Sequence, residues 1–261
     1  EPKPWKTGGI AISRRFAMPN PLTHDPLLPP GFILPNLVTG SELPLQGVTI
    51  LAVEDSRYAC EALRLMSQRA GARLRRADTL ALARAHLRVY RPDVVIIDLG
   101  LPDGRGEGLI RELAMARQRP LAVLGSSGNP DGRGAALAAG AEGFLDKPLE
   151  SFTEFCMVLR RLLPGLAPSL VDDAAIYPDP LALQDDLARA AAALSAEPDA
   201  AGLRYLAGFL LGVARHAHDS ALARAASAAG GPNSGDLDQL RGLIDRRLTV
   251  ANITSAFTAK P

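Results

Sequence analysis

The 261-residue chain is poor in the residues that dominate disulfide-rich, zinc-binding or nucleic-acid-binding proteins: it has two cysteines, four histidines, one tryptophan and only four lysines. Cys60 and Cys156 sit inside apolar helical patterns, far from any Cys/His cluster. That excludes a disulfide framework and a Cys/His zinc site and suits a reducing compartment. No apolar run reaches the roughly 18 residues that a membrane span needs. There is also no charged-then-apolar leader with a cleavage site, so a cytoplasmic location is expected. Charge of one sign is scarce as well. The net charge of +1 divides into +1 for residues 1–46, +3 for 47–163 and −3 for 164–261. No segment has the basic balance of a nucleic-acid module, so nucleic acid is not an expected partner. Cyclase, phosphodiesterase and His-Asp metal signatures are missing, and turnover catalysis is not expected. What is present is 47% hydrophobic content over a length sufficient for one or two buried cores.

Nine of the 21 prolines fall in residues 1–46. Without helical or strand periodicity, this part reads as an extended arm, although Trp5, Phe16, Leu27, Leu28, Phe32, Ile33 and Leu34 make it more apolar than a disordered tail. From residue 47 to 163 short apolar runs alternate with amphipathic stretches. The runs are 48–53, 72–77, 94–97, 121–124 and 143–146. The stretches are 56–70, 79–90, 107–117, 131–139 and 151–163. Continuously apolar runs suit strands covered on both faces, whereas the second run alternates and suits an edge. The prediction is a doubly wound α/β unit with five parallel strands in the order 2-1-3-4-5, its site at the carboxyl ends of strands one and three. Residues 164–180 read as a linker. Residues 181–261 read as an all-α region with alanine-rich helices over 181–196, 199–218, 220–229 and 236–248.

The chemistry concentrates at one predicted sheet edge. Glu54 and Asp55 end the first strand, Asp98 ends the third, and Lys147-Pro148 follows the fifth. Three carboxylates brought together repel one another unless a divalent cation such as Mg²⁺ neutralises them. With Asp98 as nucleophile, a cation and Lys147 would offset charge on a phosphoryl group in flight.

The segments Val53-Glu-Asp-Ser56, Asp98-Leu-Gly-Leu-Pro-Asp-Gly-Arg-Gly106 and Asp146-Lys-Pro148 resemble the motifs of two-component response-regulator receiver domains, over residues 48–163. The resemblance implies Glu54, Asp55, Asp98 and the Gly100 carbonyl as Mg²⁺ ligands, Asp98 as phosphoacceptor and Lys147 as phosphate contact. It further implies a cis bond before Pro148, and Phe144 as the aromatic switch position. A family hydroxyl follows the fourth strand; counting back from Lys147 reaches Gly125, so Ser126 is taken first, Ser127 second, and a missing hydroxyl third. The implied donor is a sensor histidine kinase or phosphotransfer protein. Readout is expected through the face of the fourth helix, fifth strand and fifth helix, where a homodimer would also form.

For residues 181–261 the readings stay open. Protein contact is the first, giving a phosphorelay regulator. His216 and His218 raise a histidine phosphotransfer bundle, although no His-x-x-Lys-Gly is present and the two histidines fall on different helix faces. A degenerate receiver acting as a scaffold and a DNA-binding regulator are the others.

Overall fold

The computed structural model describes residues 43–163, 165–166, 176–230 and 235–258, with the backbone alone for residue 235 and for 251–258. Almost all of the Pro-rich arm and most of the 164–180 linker lie outside the described residues.

The first half alternates strands and helices in the expected order. These are β1 (Thr49–Val53), α1 (Arg57–Arg69), β2 (Arg73–Ala77), α2 (Leu80–Val89), β3 (Val94–Asp98), β4 (Gly100–Leu101), β5 (Gly104–Arg105), α3 (Gly106–Ala114), β6 (Ala122–Ser127), α4 (Gly132–Ala138), β7 (Gly143–Asp146) and α5 (Phe152–Leu162). The main sheet runs β2-β1-β3-β6-β7 with every pairing parallel. This is the doubly wound five-stranded arrangement anticipated from the hydrophobic runs. β2 lies at the edge and alternates exposed and covered residues, as its sequence suggests. The expectation omitted one element, the two-residue antiparallel pair β4–β5 formed by the Leu-Pro-Asp-Gly turn.

Strand alternation sends successive residues to opposite faces. Ile50, Ala52, Val94 and Ile96 therefore join Leu63 and Met66 of α1 and Phe155, Cys156 and Leu159 of α5 in one core. Leu51, Val53, Val95 and Ile97 join Leu80 and Ala83 of α2, Leu109 and Ile110 of α3, and Ala136 of α4 in another. Side-chain caps fix the helix starts: Ser56, Thr79 and Ser151 each accept a bond from the backbone N–H three residues on. Asp103 of the β4–β5 turn reaches across to cap α2, accepting from the N–H groups of Leu80 and Ala81 at 2.8 and 2.9 Å.

The second half is helical: α6 (Pro180–Ser195), α7 (Ala200–His216), α8 (Ser220–Ala229) and α9 (Gly235–Thr258). Asp179, Asp199 and Asp219 cap the first three. α9 runs ten residues beyond the expected end at Leu248, across a Thr/Ala/Asn-rich stretch that has no stop signal. These helices bury a core of their own around Leu187, Leu194, Leu206, Phe209, Leu210, Val213, Leu222, Leu240 and Ile244. Both halves belong to one compact unit, 41–261, in which α6 and α7 pack on α1 and α7 also reaches β4. No helix among the described residues is long and apolar enough to cross a membrane.

Phe155 has no exposed surface and joins α5 to the sheet. Phe155→Ala is expected to lower stability by about 3–5 kcal/mol. Urea unfolding followed by circular dichroism measures it, and a loss under about 1 kcal/mol would mean that this core is not the one described.

Candidate functional site

The carboxyl ends of β1 and β3 meet where the strand order reverses, and Glu54, Asp55 and Asp98 converge there. Their carboxylates offer one oxygen each within 4.8 Å of one another. Lys147, from the loop after β7, inserts its Nζ between two of them, 2.5 Å from Glu54 Oε2 and 2.7 Å from Asp98 Oδ2. The Lys147–Pro148 bond is cis, as the resemblance implies. Gly100 lines the same cavity, and its N–H donates to Asp98 Oδ1 at 3.0 Å.

Local sequence explains the placement. Gly106 follows the β4–β5 turn, and a Cβ there would lie 2.1 Å from the Asp98 carbonyl oxygen. Only glycine lets the chain double back so tightly beside β3. Ser56 N–H donates to Glu54 Oε1 at 3.2 Å, steadying the buried glutamate.

The electrostatics follow from burial. Glu54 is 2% exposed and Asp55 1%. Burial pushes Glu54 up to about 8, with Lys147 opposing and Asp98 and Asp55 reinforcing. Burial pushes Asp55 up to about 6, opposed by a hydrogen bond from Tyr205. Burial also works against the charge of Lys147, but Asp98 and Glu54 outweigh it and raise its pKa. Three close oxygen donors whose ionised forms are strained by burial and mutual repulsion fit a hard divalent cation.

The hydroxyl ranked second in sequence is the one at the cavity. Ser127 lines it together with Asp98 and Lys147. Ser126, ranked first, pairs in register with Asp98, but its Oγ is buried and donates to the Leu145 carbonyl at 3.1 Å. Gly125, reached by ungapped counting, has no room for a side chain, because a Cβ there would meet Ala136 Cβ at 2.5 Å and the Phe144 ring at 3.2 Å. Phe144 is itself 3% exposed, with the Arg133 guanidinium 5.1 Å from its ring centroid.

Sequence reasoning missed the contribution of the helical region. A cavity of about 890 Å³ lies beside the carboxylates, and α7 contributes Arg204, Tyr205, Arg215 and His216 to its lining. Tyr205 donates its hydroxyl to Asp55 Oδ2, and Arg215 donates to the Gly128 carbonyl after β6. No motif marks these residues. The available signal was a tyrosine, two arginines and a terminal histidine on a helix otherwise made of apolar residues.

His216, weighed as a phosphotransfer residue, is 8% exposed. Its Nδ1 lies 3.1 Å from the Gly212 carbonyl, and its Nε2 faces the Leu149 N–H at 3.5 Å. A histidine held in this way has neither ring nitrogen presented for transfer. His218 is exposed, 3.9 Å from Glu150.

Residues 50–156 match the family model described as the response regulator receiver domain. The chain is 37% identical over 99 residues to the KDP operon transcriptional regulatory protein KdpE of Escherichia coli strain K12, covering 38% of this chain and 44% of that protein. It is 31% identical over 125 residues to the transcriptional regulatory protein PhoP of the same strain, covering 47% and 56%. The chain thus spans about half the length of the curated relatives it matches. Among solved structures, Vibrio cholerae chemotaxis protein CheY4 aligns with 27% identity and a TM-score of 0.41, covering 44% of this chain and 98% of that one.

Burial depresses the pKa of His216 from 6.5 to about 4, with Lys147 and His218 adding to the effect. The unfolded chain therefore binds a proton in this window that the folded chain does not, so stability is lost as pH falls from about 6.5 through about 4. The loss is on the order of 3 kcal/mol at about 1.4 kcal/mol per pH unit. Because Glu54 and Asp55 titrate in the same range with the opposite sign, the measurement is the difference in urea midpoints between wild type and His216→Gln across pH 4–7. A difference that does not change with pH would show that His216 protonates freely in the fold.

Proposed function

We propose, with residues 50–156 being a response regulator receiver domain, that Asp98 accepts a phosphoryl group from a phosphohistidine donor and that the 181–261 helical region reads the change out through protein contacts. The observation that carries this is the Lys147 ammonium held between Glu54 and Asp98 at 2.5 and 2.7 Å, at an edge where three carboxylates converge. The donor would be a sensor histidine kinase or a histidine phosphotransfer protein. The reading divides the chain into arm (1–46), receiver (47–163), linker (164–180) and helical output region (181–261).

Glu54, Asp55, Asp98 and the Gly100 carbonyl would hold Mg²⁺, which would neutralise the carboxylates and bind a phosphoryl oxygen. Asp98 Oδ attacks phosphorus in line with the departing imidazole nitrogen, forming an acyl phosphate. Lys147 neutralises a phosphoryl oxygen after leaving its ion pair with Asp98. Ser127, at the cavity wall, donates to another phosphoryl oxygen and so senses its presence. Such a step occurs once per signal rather than in turnover, which makes the protein a switch.

Two observations bear on readout. The expected readout face is that of α4, β7 and α5, whereas α6 and α7 pack on α1, and α7 also reaches β4. That face carries the exposed Leu137 and Met157, and self-association there is retained as a proposal. Transcriptional regulation, by analogy with the names of KdpE and PhoP, is the second reading; α7 has only Arg204 and Arg215 as strong cations, and both line the cavity.

Binding of Mg²⁺ and beryllofluoride, a tetrahedral phosphoryl mimic, tests the assignment by calorimetry. Asp98→Asn is expected to abolish it. Ser127→Ala should weaken it about tenfold or more, as the loss of a hydrogen bond to a charged group predicts, while Ser126→Ala leaves it within about twofold. Tight beryllofluoride binding that persists in Asp98→Asn would sink the phosphoacceptor assignment, and no binding by wild type would favour a scaffold without phosphorylation.

A further inference from the structure

We propose that the helical region is the built-in occupant of the phosphoacceptor end, and that Tyr205 and Arg189 take at Asp55 the place a divalent cation would claim, so that cation binding and helix docking oppose one another. The inference rests on the reading of Asp55 as a metal ligand.

The contacts form a polar clamp at the end of β1. Tyr205 of α7 donates its hydroxyl to Asp55 Oδ2. Arg189 of α6 donates to the Asp55 carbonyl at 2.8 Å, and its guanidinium lies 3.7 Å from Asp55 Oδ2. That guanidinium sits over the Phe209 ring, 4.6 Å from the centroid. One residue further on, the fully buried Asp186 carboxylate accepts from Ser56 Oγ and from the backbone N–H groups of Arg57 and Tyr58, at 2.8, 3.0 and 3.0 Å. Asp186 therefore occupies the N-terminus of α1, where orphan N–H donors and the helix dipole favour a carboxylate.

The two partners compete at one carboxylate. Tyr205 takes up one acceptor site of Asp55 Oδ2 and holds the group in its docked orientation, and Arg189 places positive charge beside it, which opposes a cation there. Linkage then requires reciprocity: whatever Tyr205 and Arg189 contribute to docking weakens the cation, and the cation weakens docking by the same factor. The joint is also suited to opening. Its anchors are charged groups that water can solvate after release, while the apolar core of α6–α9 is separate and does not depend on the receiver surface. Loss of docking would uncover the N-terminal turn of α1 and the cavity in front of Asp98, giving a phosphohistidine partner a route that α7 closes in the docked state.

The test uses the full chain as wild type, Tyr205→Phe and Arg189→Gln, with Mg²⁺ alone as the probe. Calorimetry gives the Mg²⁺ affinity, and hydrogen exchange follows the amides of Arg57 and Tyr58, which only docking to Asp186 protects from the α6 side. Both variants are expected to bind Mg²⁺ about fivefold more tightly than wild type or better, and saturating Mg²⁺ should speed exchange at Arg57 and Tyr58 in wild type. Arg189, whose side chain is 46% exposed, guards against a result caused by misfolding of the more buried Tyr205 variant. Equal Mg²⁺ affinity in all three proteins, or Arg57 and Tyr58 amides that stay protected at saturation, would overturn the clamp while leaving the receiver reading intact. Absence of Mg²⁺ binding in all three would overturn the metal-ligand reading and the clamp with it.

Discussion

The repulsion among Glu54, Asp55 and Asp98 is the constraint around which the rest of the molecule is arranged. Oxygens from three carboxylates lie within 4.8 Å of one another, two of them on almost fully buried residues. Such a cluster is stable only where positive charge or hydrogen-bond donors reach every member. Lys147 serves Glu54 and Asp98 together. Asp55, which has no direct ion pair with Lys147, is served by Tyr205 and Arg189, and Arg76 from β2 braces the backbone by donating to the Glu54 and Asp55 carbonyls at 3.0 and 2.6 Å. Every donor comes from a different element. The sheet topology alone brings the acids together, so the compensating charges must arrive from β2, from the loop after β7, and from two helices more than 130 residues along the chain.

This division of labour gives the two halves of the chain an electrostatic dependence on one another that their separate apolar cores do not require. The receiver buries its own two cores against the sheet, and the helices bury a third. Between them lie hydrogen bonds, ion pairs and a large cavity. An interface held in this way is sensitive to local charge, because its bonds converge on Asp55 and on the loops beside Asp98.

The sheet and its acidic edge were legible because their signals are local and redundant. Continuous apolar runs such as Val94–Ile97 mark a strand covered on both faces, and a carboxylate immediately after such a run must emerge at the sheet edge. The β4–β5 pair was not legible, since two residues per strand carry no periodicity. The serine that faces the cavity is the second choice rather than the first, for a packing reason. Ser126 stands in register opposite Asp98, but the alternation of the strand turns it into the protein, while α4 approaches so closely at Gly125 and Gly132 that only the next position, Ser127, opens onto the cavity. Docking of α6 and α7 was invisible for another reason. Asp186, Arg189 and Tyr205 lie at helical spacing among alanines and leucines, where a polar residue ordinarily reads as a solvated face, and only the fold reveals that three of them point at a buried partner.

If Asp98 is phosphorylated as proposed, the position of the docked helices sets the route of signal transfer. Readout across α4 and β7 would require the phosphoryl group to move a hydroxyl, an aromatic ring and then a surface. Phe144 is enclosed, with Gly125 pressed against its ring and Arg133 over its face, so that route begins from a well-packed position. The route through Asp55 has no intermediate. Tyr205 and Arg189 bond Asp55 itself, Asp186 of α6 accepts from Ser56 at the start of α1, and Arg215 bonds the Gly128 carbonyl, one residue past Ser127. A change of charge at Asp55 or Asp98 thus acts on the helices at their points of attachment, and coupling needs no chain of packed residues to carry it.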